Sequence, residues 1–349
     1  MDYITYVRRG QVVKVPAAEV LDREKFPWKA KKVLTVRLAE IYDKAGFPEY
    51  SVRARTCATW LQYQIVPDGG RALSAANFCQ LRLCPMCTAR RARRNAYKLS
   101  RVLDAVERKH HAKYLFLTLT MRNVPGDGLR DALGDLTQAW ERFQGQRQIE
   151  RSVKGWFRAI EITRNGKMYH PHLHAILAVE PDYFSRAARQ SGKYLNQRDL
   201  IERWQRALRV DYRPSVRIQT TKPKRNGEEG PLSESAGYAA AVEASKYVVK
   251  EDDYIDPGLS DDMAAEVLRD YTIALRHKRL TAFGGWLKEE ARLLDADNMD
   301  EDGDLVHVDE DHVREDVAEM IEVYNWHFGA GDYILASREL NPVKAMVSR

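Results

Sequence analysis

The chain has 349 residues, 44% of them hydrophobic, and a net charge of +6, which gives length for two or three modest domains and apolar content for packed cores. Its pI near 9.0 is a moderate basic excess that permits a polyanionic partner without demanding one. No run reaches the apolar length of a membrane span, and the N-terminal MDYITYVRRGQ lacks the apolar core of a signal peptide, so the expected location is the cytoplasm, with no membrane partner.

Residues 1–54 are polar and mixed and read as a partly irregular extension. Residues 55–112 hold all four cysteines, Cys57, Cys79, Cys84 and Cys87, followed by a strongly basic stretch. Cytoplasmic thiols stay reduced, so these are metal ligands, reactive thiols or plain core residues. The C-x2-C knuckle at Cys84 and Cys87 suits tetrahedral zinc, and structural zinc is the expectation here, with reduced core cysteines as the alternative. A basic helix is expected from Thr88 to about His110, carrying Arg90, Arg91, Arg93 and Arg94 and an apolar stripe of Leu99, Val102, Leu103 and Val106.

Residues 113–258 read as a sheet-containing core. YLFLTLT (114–120) is a short β-branched and aromatic run and predicts a buried strand. Residues 127–148 predict a helix with Leu133, Leu136, Trp140 and Phe143 on one face. GWFRAIEIT (155–163) and MYHPHLHAILAV (168–179) predict two strands, joined by the hairpin turn signal Asn165-Gly166. A helix over 197–208, a strand over 215–221 and a helix over 235–250 follow. Residues 259–349 read as a mainly helical C-terminal region with an acidic loop at 295–316. The class is α+β: a central antiparallel sheet with flanking helices, after a zinc-bearing segment and before the helical region.

His170, His172 and His174 alternate, so they share one strand face while Leu173, Ala175 and Leu177 face the core. Two imidazoles and a carboxylate with open positions suit Mg²⁺ or Mn²⁺ against a phosphate, or Zn²⁺. The hairpin returns Glu161 beside the histidines, which makes it the first candidate for third ligand; His170 is the competitor, since it shares their face, although Pro171 is expected to bend the strand there. In EASKYVVK (243–250), Glu243 and Tyr247 stand at i and i+4 on one helical face, and Lys246 and Lys250 on an adjoining one. Taken alone, that stretch is more plainly a surface helix with a Glu–Lys pair.

FLTLT (116–120), HPHLH (170–174), EASKYVVK (243–250) and CQLRLCPMCTARR (79–91) occur in the order and spacing of four family motifs. Together they resemble the rolling-circle replication initiators of small bacterial plasmids, in the single-tyrosine-plus-glutamate branch of the HUH endonucleases. Weaker similarity appears in RLTAFGGWLKE (279–289) and YNWHFGAGDYIL (324–335), so the resemblance spans roughly residues 55–340. It implies that residues 113–258 are an HUH nuclease core that nicks one strand of a plasmid origin. Tyr247 would be the nucleophile, forming a 5′-phosphotyrosine and freeing a 3′-OH primer, and Glu243 would activate water at termination. His172, His174 and Glu161 would hold a Mg²⁺ or Mn²⁺ ion. Lys246 or Lys250 would steady phosphate charge, and Arg90, Arg91, Arg93 and Arg94 would track DNA phosphates. Partners would be origin DNA, as single strand or hairpin, and a host helicase and DNA polymerase. The alternatives are an HUH relaxase or transposase, and a non-catalytic zinc-bearing DNA-binding regulator.

Overall fold

The computed structural model describes residues 3–8, 11–16, 26–67, 70–220, 241, 249–300, 303–308 and 318–342. In chain order the elements begin with β1 (Tyr3–Arg8), β2 (Gln11–Pro16), α1 (Trp28–Lys44), α2 (Pro48–Thr56), β3 (Trp60–Ile65), β4 (Arg71–Ala76) and α3 (Pro85–His110). Next come β5 (Lys113–Thr120), β6 (Val124–Pro125), α4 (Leu129–Gln144), α5 (Arg147–Ser152), β7 (Val153–Asn165) and β8 (Met168–Val179). Then follow α6 (Arg186–Gln190), α7 (Gln197–Leu208), β9 (Val216–Thr220), the helix Asp261–Leu275, β10 (Thr281–Gly284), the helix Gly285–Leu293, β11 (Met320–His327) and β12 (Asp332–Leu340). The class is α+β, with antiparallel sheets and flanking helices. Among the described residues no helix is long and apolar enough to cross a membrane.

The chain divides into two compact units: residues 1–94, 259–265 and 302–349, and residues 95–258 and 266–301. The second unit is built on a sheet in the order β10-β7-β8-β5-β9, with β6 added beside β8. Its centre is the β7–β8 hairpin, whose two-residue turn is Gly166-Lys167 with Gly166 at φ +61°, one residue beyond the expected Asn165-Gly166, because Asn165 pairs with Met168. One face of β8 presents Leu173, Ala175 and Leu177, each at most 1% exposed; α4 lies against this strand. The other face changes character along its length. Ile176 and Ala178, with Phe157 and Ala159 of β7, sit under Leu99, Val102, Leu103 and Val106 of α3 and Leu287 and Ala291 of the helix Gly285–Leu293. Further along the same face the alternating positions are His174, His172 and His170.

The first unit contains the β1–β2 hairpin and a sheet in the order β12-β11-β3-β4. Residues 1–54, expected to be partly irregular, thus include a hairpin and two helices. The C-terminal region is less helical than the sequence reading holds: after the helices Asp261–Leu275 and Gly285–Leu293 its described residues form the β11–β12 hairpin. Gly331 makes the turn at φ +59°, and the strands on either side bury Tyr324, Trp326 and Tyr333. The acidic loop is also more packed than its charge implies. Ala296 and Met299 enter the core beneath α3, and Asp300 accepts both the Leu280 and Thr281 amides at 2.7 Å.

Two helices differ in extent. The expected helix at 127–148 is two, α4 and α5, separated at Gly145-Gln146. Helix α3 starts at Pro85, three residues earlier than read, because proline at the first helical position costs no hydrogen bond. The acute join between β10 and the following helix depends on Gly285, which sits at φ +53°; a Cβ there would lie 2.1 Å from the Lys154 carbonyl oxygen. Gly285→Ala should therefore cost roughly 2–4 kcal/mol, read as a lower urea midpoint with an unchanged slope.

Candidate metal centres

In the register of the β7–β8 hairpin, Glu161 lies directly across from His172, and Ala159 across from His174. On the other side of β8, Thr120 pairs with His172 and Thr118 with His174. Directly paired residues share a face, so Glu161, both histidines and both threonines point the same way. Glu161 Oε2 lies 2.9 Å from His174 Nε2 and 3.2 Å from His172 Nε2. The other ring nitrogens are also held: His174 Nδ1 meets Thr118 Oγ1 at 3.2 Å, and His172 Nδ1 lies 3.2 Å from the His170 carbonyl oxygen. The carbonyl can only accept, so His172 carries its proton on Nδ1 when neutral and turns the Nε2 lone pair inward.

Glu161, His172 and His174 form a group that could hold a metal ion, with one ligand atom from each within 4.8 Å of the others. Of the two candidates for third ligand, the carboxylate is the one in this group, and His170 is outside it. His170 is displaced toward the hairpin end, opposite Thr163, and burial and the neighbouring His172 lower its pKa. Burial alone would raise the Glu161 carboxyl, but its contacts with His172 and His174 outweigh this and hold it far below the usual carboxylate range.

The second group is in the first unit. Cys57 ends α2, Cys79 lies in the loop after β4, Cys84 immediately precedes α3, and Cys87 is in its first turn. All four are free thiols, and all but Cys79 are buried. Sγ–Sγ distances are 3.5 Å for Cys57–Cys87, 3.6 Å for Cys79–Cys87 and 3.6 Å for Cys57–Cys84. These four thiols also could hold a metal ion. Burial raises the Cys84 thiol, yet hydrogen bonds from Cys57, Cys79 and Cys87 hold it well below the ordinary value. Beneath them the fully buried Lys32 donates to the carbonyls of Cys57 at 2.5 Å and Arg55 at 2.9 Å.

The basic helix needs correction as a DNA-facing surface. Arg90 and Arg94 are only 5% and 6% exposed. Arg90 donates to the Leu305 and Val306 carbonyls at 2.8 and 2.6 Å and lies 5.4 Å from the Phe26 and Trp28 rings. A guanidinium so enclosed anchors the 303–308 segment and cannot reach a phosphate; Arg91 and Arg93 are half-buried. Glu243, Lys246 and Tyr247, and most of the helix expected over 235–250, lie outside the described residues. Their nearest described neighbours are Ala241, in the core beneath α3, and Val249, which bridges in parallel to Ile162, the residue after Glu161. Lys250 is exposed.

With both groups in view, comparison with known proteins is decisive on family. Residues 70–334 match the Rep_1 family, described as replication protein. The chain belongs to the Rep_1 replication protein family. It is 33% identical over 289 residues to "Protein rep" of Streptococcus pneumoniae serotype 2, covering 82% of this chain and 84% of that one. It is 32% identical over 329 residues to "Protein rep" of Bacillus amyloliquefaciens, covering 89% and 94%. A Staphylococcus aureus "Replication protein" is 35% identical over 231 residues, covering 64% and 92%. No solved structure matches at a significant level. As a Rep_1 protein the chain is a plasmid replication initiator.

The depressed Glu161 carboxyl gives a pH prediction for the ion-free Rep_1 protein. A carboxylate whose folded pKa lies below its unfolded one stabilises the fold above the unfolded value, about 4.3, and loses that contribution as pH falls through the folded value. In chelator, the stability gap between wild type and Glu161→Gln should be widest near neutrality and should shrink below about pH 4. Urea midpoints of the two proteins across that range measure it.

Proposed function

We propose that this replication initiator is a site-specific single-strand DNA endonuclease and strand transferase that opens a plasmid origin through Tyr247. The observation that carries the reading is the Glu161 carboxylate held between the Nε2 atoms of His172 and His174 on one face of the β7–β8 hairpin. Two imidazole nitrogens and one carboxylate oxygen, with positions left for water and phosphate, fit Mg²⁺ or Mn²⁺. When bound, the ion would polarise the scissile phosphate. The chain supplies the rest. Thr118 and the His170 carbonyl fix the ring orientations, and β7 and β8 fix the spacing.

Tyr247 Oη would attack phosphorus, forming a 5′-phosphotyrosine as the P–O3′ bond breaks. The released 3′-oxygen takes a proton and becomes the primer. Val249, two residues after Tyr247 in the sequence, bridges in parallel to Ile162, the residue after Glu161. Glu243, one helical turn earlier if the expected helix forms, would activate water at termination. Lys246 and Lys250 would steady phosphate charge, and Arg91 and Arg93 are the remaining candidates on α3 for backbone contacts. A helicase and a polymerase of the host are the partners that a free 3′-OH requires.

We also propose that the four thiols hold structural zinc. A zinc tetrahedron with Zn–S bonds of about 2.3 Å has an edge of about 3.8 Å, close to the sulfur separations here. Cys84→Ser should release zinc and lower the unfolding midpoint of the first unit. Elemental analysis finding no zinc in the reduced wild-type protein would count against this centre.

Incubation with supercoiled origin plasmid and Mn²⁺ tests the main reading. Wild type should give nicked circles with protein covalently attached. Tyr247→Phe should form no adduct while retaining origin binding, and His172→Ala should lose cleavage with partial recovery at high Mn²⁺. Glu243→Ala should nick normally and accumulate adduct at termination. Full cleavage in EDTA, or an undiminished adduct from Tyr247→Phe, would move the chemistry to other residues.

A further inference from the structure

The sheet register brings an exposed cation onto the face that bears the Glu161–His172–His174 group. Strand β9 is the edge beyond β5, and Arg217 pairs directly with Thr118. Thr118 in turn pairs with His174 and touches its ring. Arg217, Thr118 and His174 therefore form one row across three strands, all on one face. At about 4.8 Å per strand, the Arg217 backbone stands about 10 Å from that of His174. Burial along β9 supports the orientation: Val216 is buried on the core side, while Arg217 and Gln219 are exposed. With the Gln219 amide turned so that its oxygen faces the guanidinium, it accepts from Arg217 Nε at 3.1 Å and Nη2 at 2.7 Å.

A second feature lies where β5 runs out. Thr120, the cross-strand partner of His172, is bonded to the Ser215 carbonyl at the entry to β9. Two residues beyond it, the Arg122 guanidinium lies 4.0 Å from the centroid of the Tyr212 ring, and the Arg122 amide donates to the Tyr212 hydroxyl at 3.0 Å. Arg122 is exposed, and among the described residues neither it nor Arg217 pairs with a carboxylate. Among the described residues, then, neither arginine contributes an ion pair to stability. A cation with an aromatic plane beside it is what single-stranded DNA recognises: the guanidinium takes a backbone phosphate, and the stacked ring offers a face to a base.

We propose that Arg217 and the Arg122–Tyr212 stack form the strand-binding edge of the Rep_1 catalytic face, with Arg217 on a backbone phosphate adjacent to the reacting one and Arg122–Tyr212 against an unpaired base. This deepens the nuclease reading and rests on it for the identity of the reacting phosphate. It also divides the labour on the sheet. The inner strands hold the candidate ion, and the outer edge holds the DNA strand whose position decides which phosphate reaches it.

The test is binding of a fluorescein-labelled single-stranded oligothymidine to the full-length protein in EDTA, followed by anisotropy over a series of salt concentrations. Loss of one phosphate contact to single-stranded nucleic acid lowers the log–log salt slope by about 0.7. Arg217→Ala should weaken binding and reduce the slope by that amount. Tyr212→Ala should weaken binding about tenfold with little change in slope, and Tyr212→Phe should restore most of it, since the ring is what stacks. Arg198→Ala, an exposed arginine of α7 that pairs with Glu202, should change neither quantity. A thermal melt matching wild type shows that each variant is folded. An unchanged slope and affinity for Arg217→Ala would overturn the proposal, as would an equal drop for Arg198→Ala. Because no ion and no cleavage are involved, the outcome is separable from the nuclease reading. Intact binding by Arg217→Ala with normal wild-type nicking removes this edge alone. A reduced slope with no wild-type nicking removes the nuclease and keeps the edge.

Discussion

The register of the β7–β8 hairpin forces one carboxylate oxygen to within 2.9 and 3.2 Å of two imidazole nitrogens. Burial alone would raise the Glu161 carboxyl, and the contacts with His172 and His174 hold it low. A metal ion held by the three residues would also use the inward lone pair that the His170 carbonyl imposes on His172. Much of the second unit serves to maintain this crowding. The helices α3 and Gly285–Leu293 bury one end of the sheet face, the His172, His174 and Glu161 side chains further along it are 11%, 14% and 19% exposed, and the leucine face of β8 fixes the strand from behind.

The hairpin was the most legible part of the fold. Period-two alternation, β-branched content and an Asn-Gly turn are local signals, and β8 spans the residues read from them. The choice between Glu161 and His170 was not legible, because both fall within reach of the histidine pair in any rough pairing. It depends on exact register, and a register that sets Glu161 opposite His172 leaves His170 opposite Thr163. The C-terminal hairpin escaped the reading because its turn, through Gly329, Ala330 and Gly331, lies between strands whose partners include β3, more than two hundred residues away.

Charge was the least transferable signal. Arg90 and Arg94 belong to a run that reads as a solvated basic face, but the first of them is covered by chain from around Leu305 and by aromatic rings at Phe26 and Trp28. No local pattern announces such distant cover. Arg217 is the opposite case: an unremarkable residue in a short strand gains its position only when β9 is paired with β5 and β5 with β8. Tyr212 and Arg122, ninety residues apart in sequence, likewise have no sequence signature of their stacking.

The tight turn at Gly166-Lys167 limits how this protein can vary. In a two-residue hairpin, adding or removing one residue in either strand between the turn and Glu161 or His172 reverses which side every residue beyond it faces. Glu161 would then point into the leucine core while the histidines stayed outside, or the reverse. Length changes at this end of the hairpin are therefore tolerable in pairs, or as bulges that restore the alternation, whereas point substitutions there are far less constrained. Divergence among proteins built on this hairpin should be visible in a parity rule on insertions before it is visible in the residues themselves.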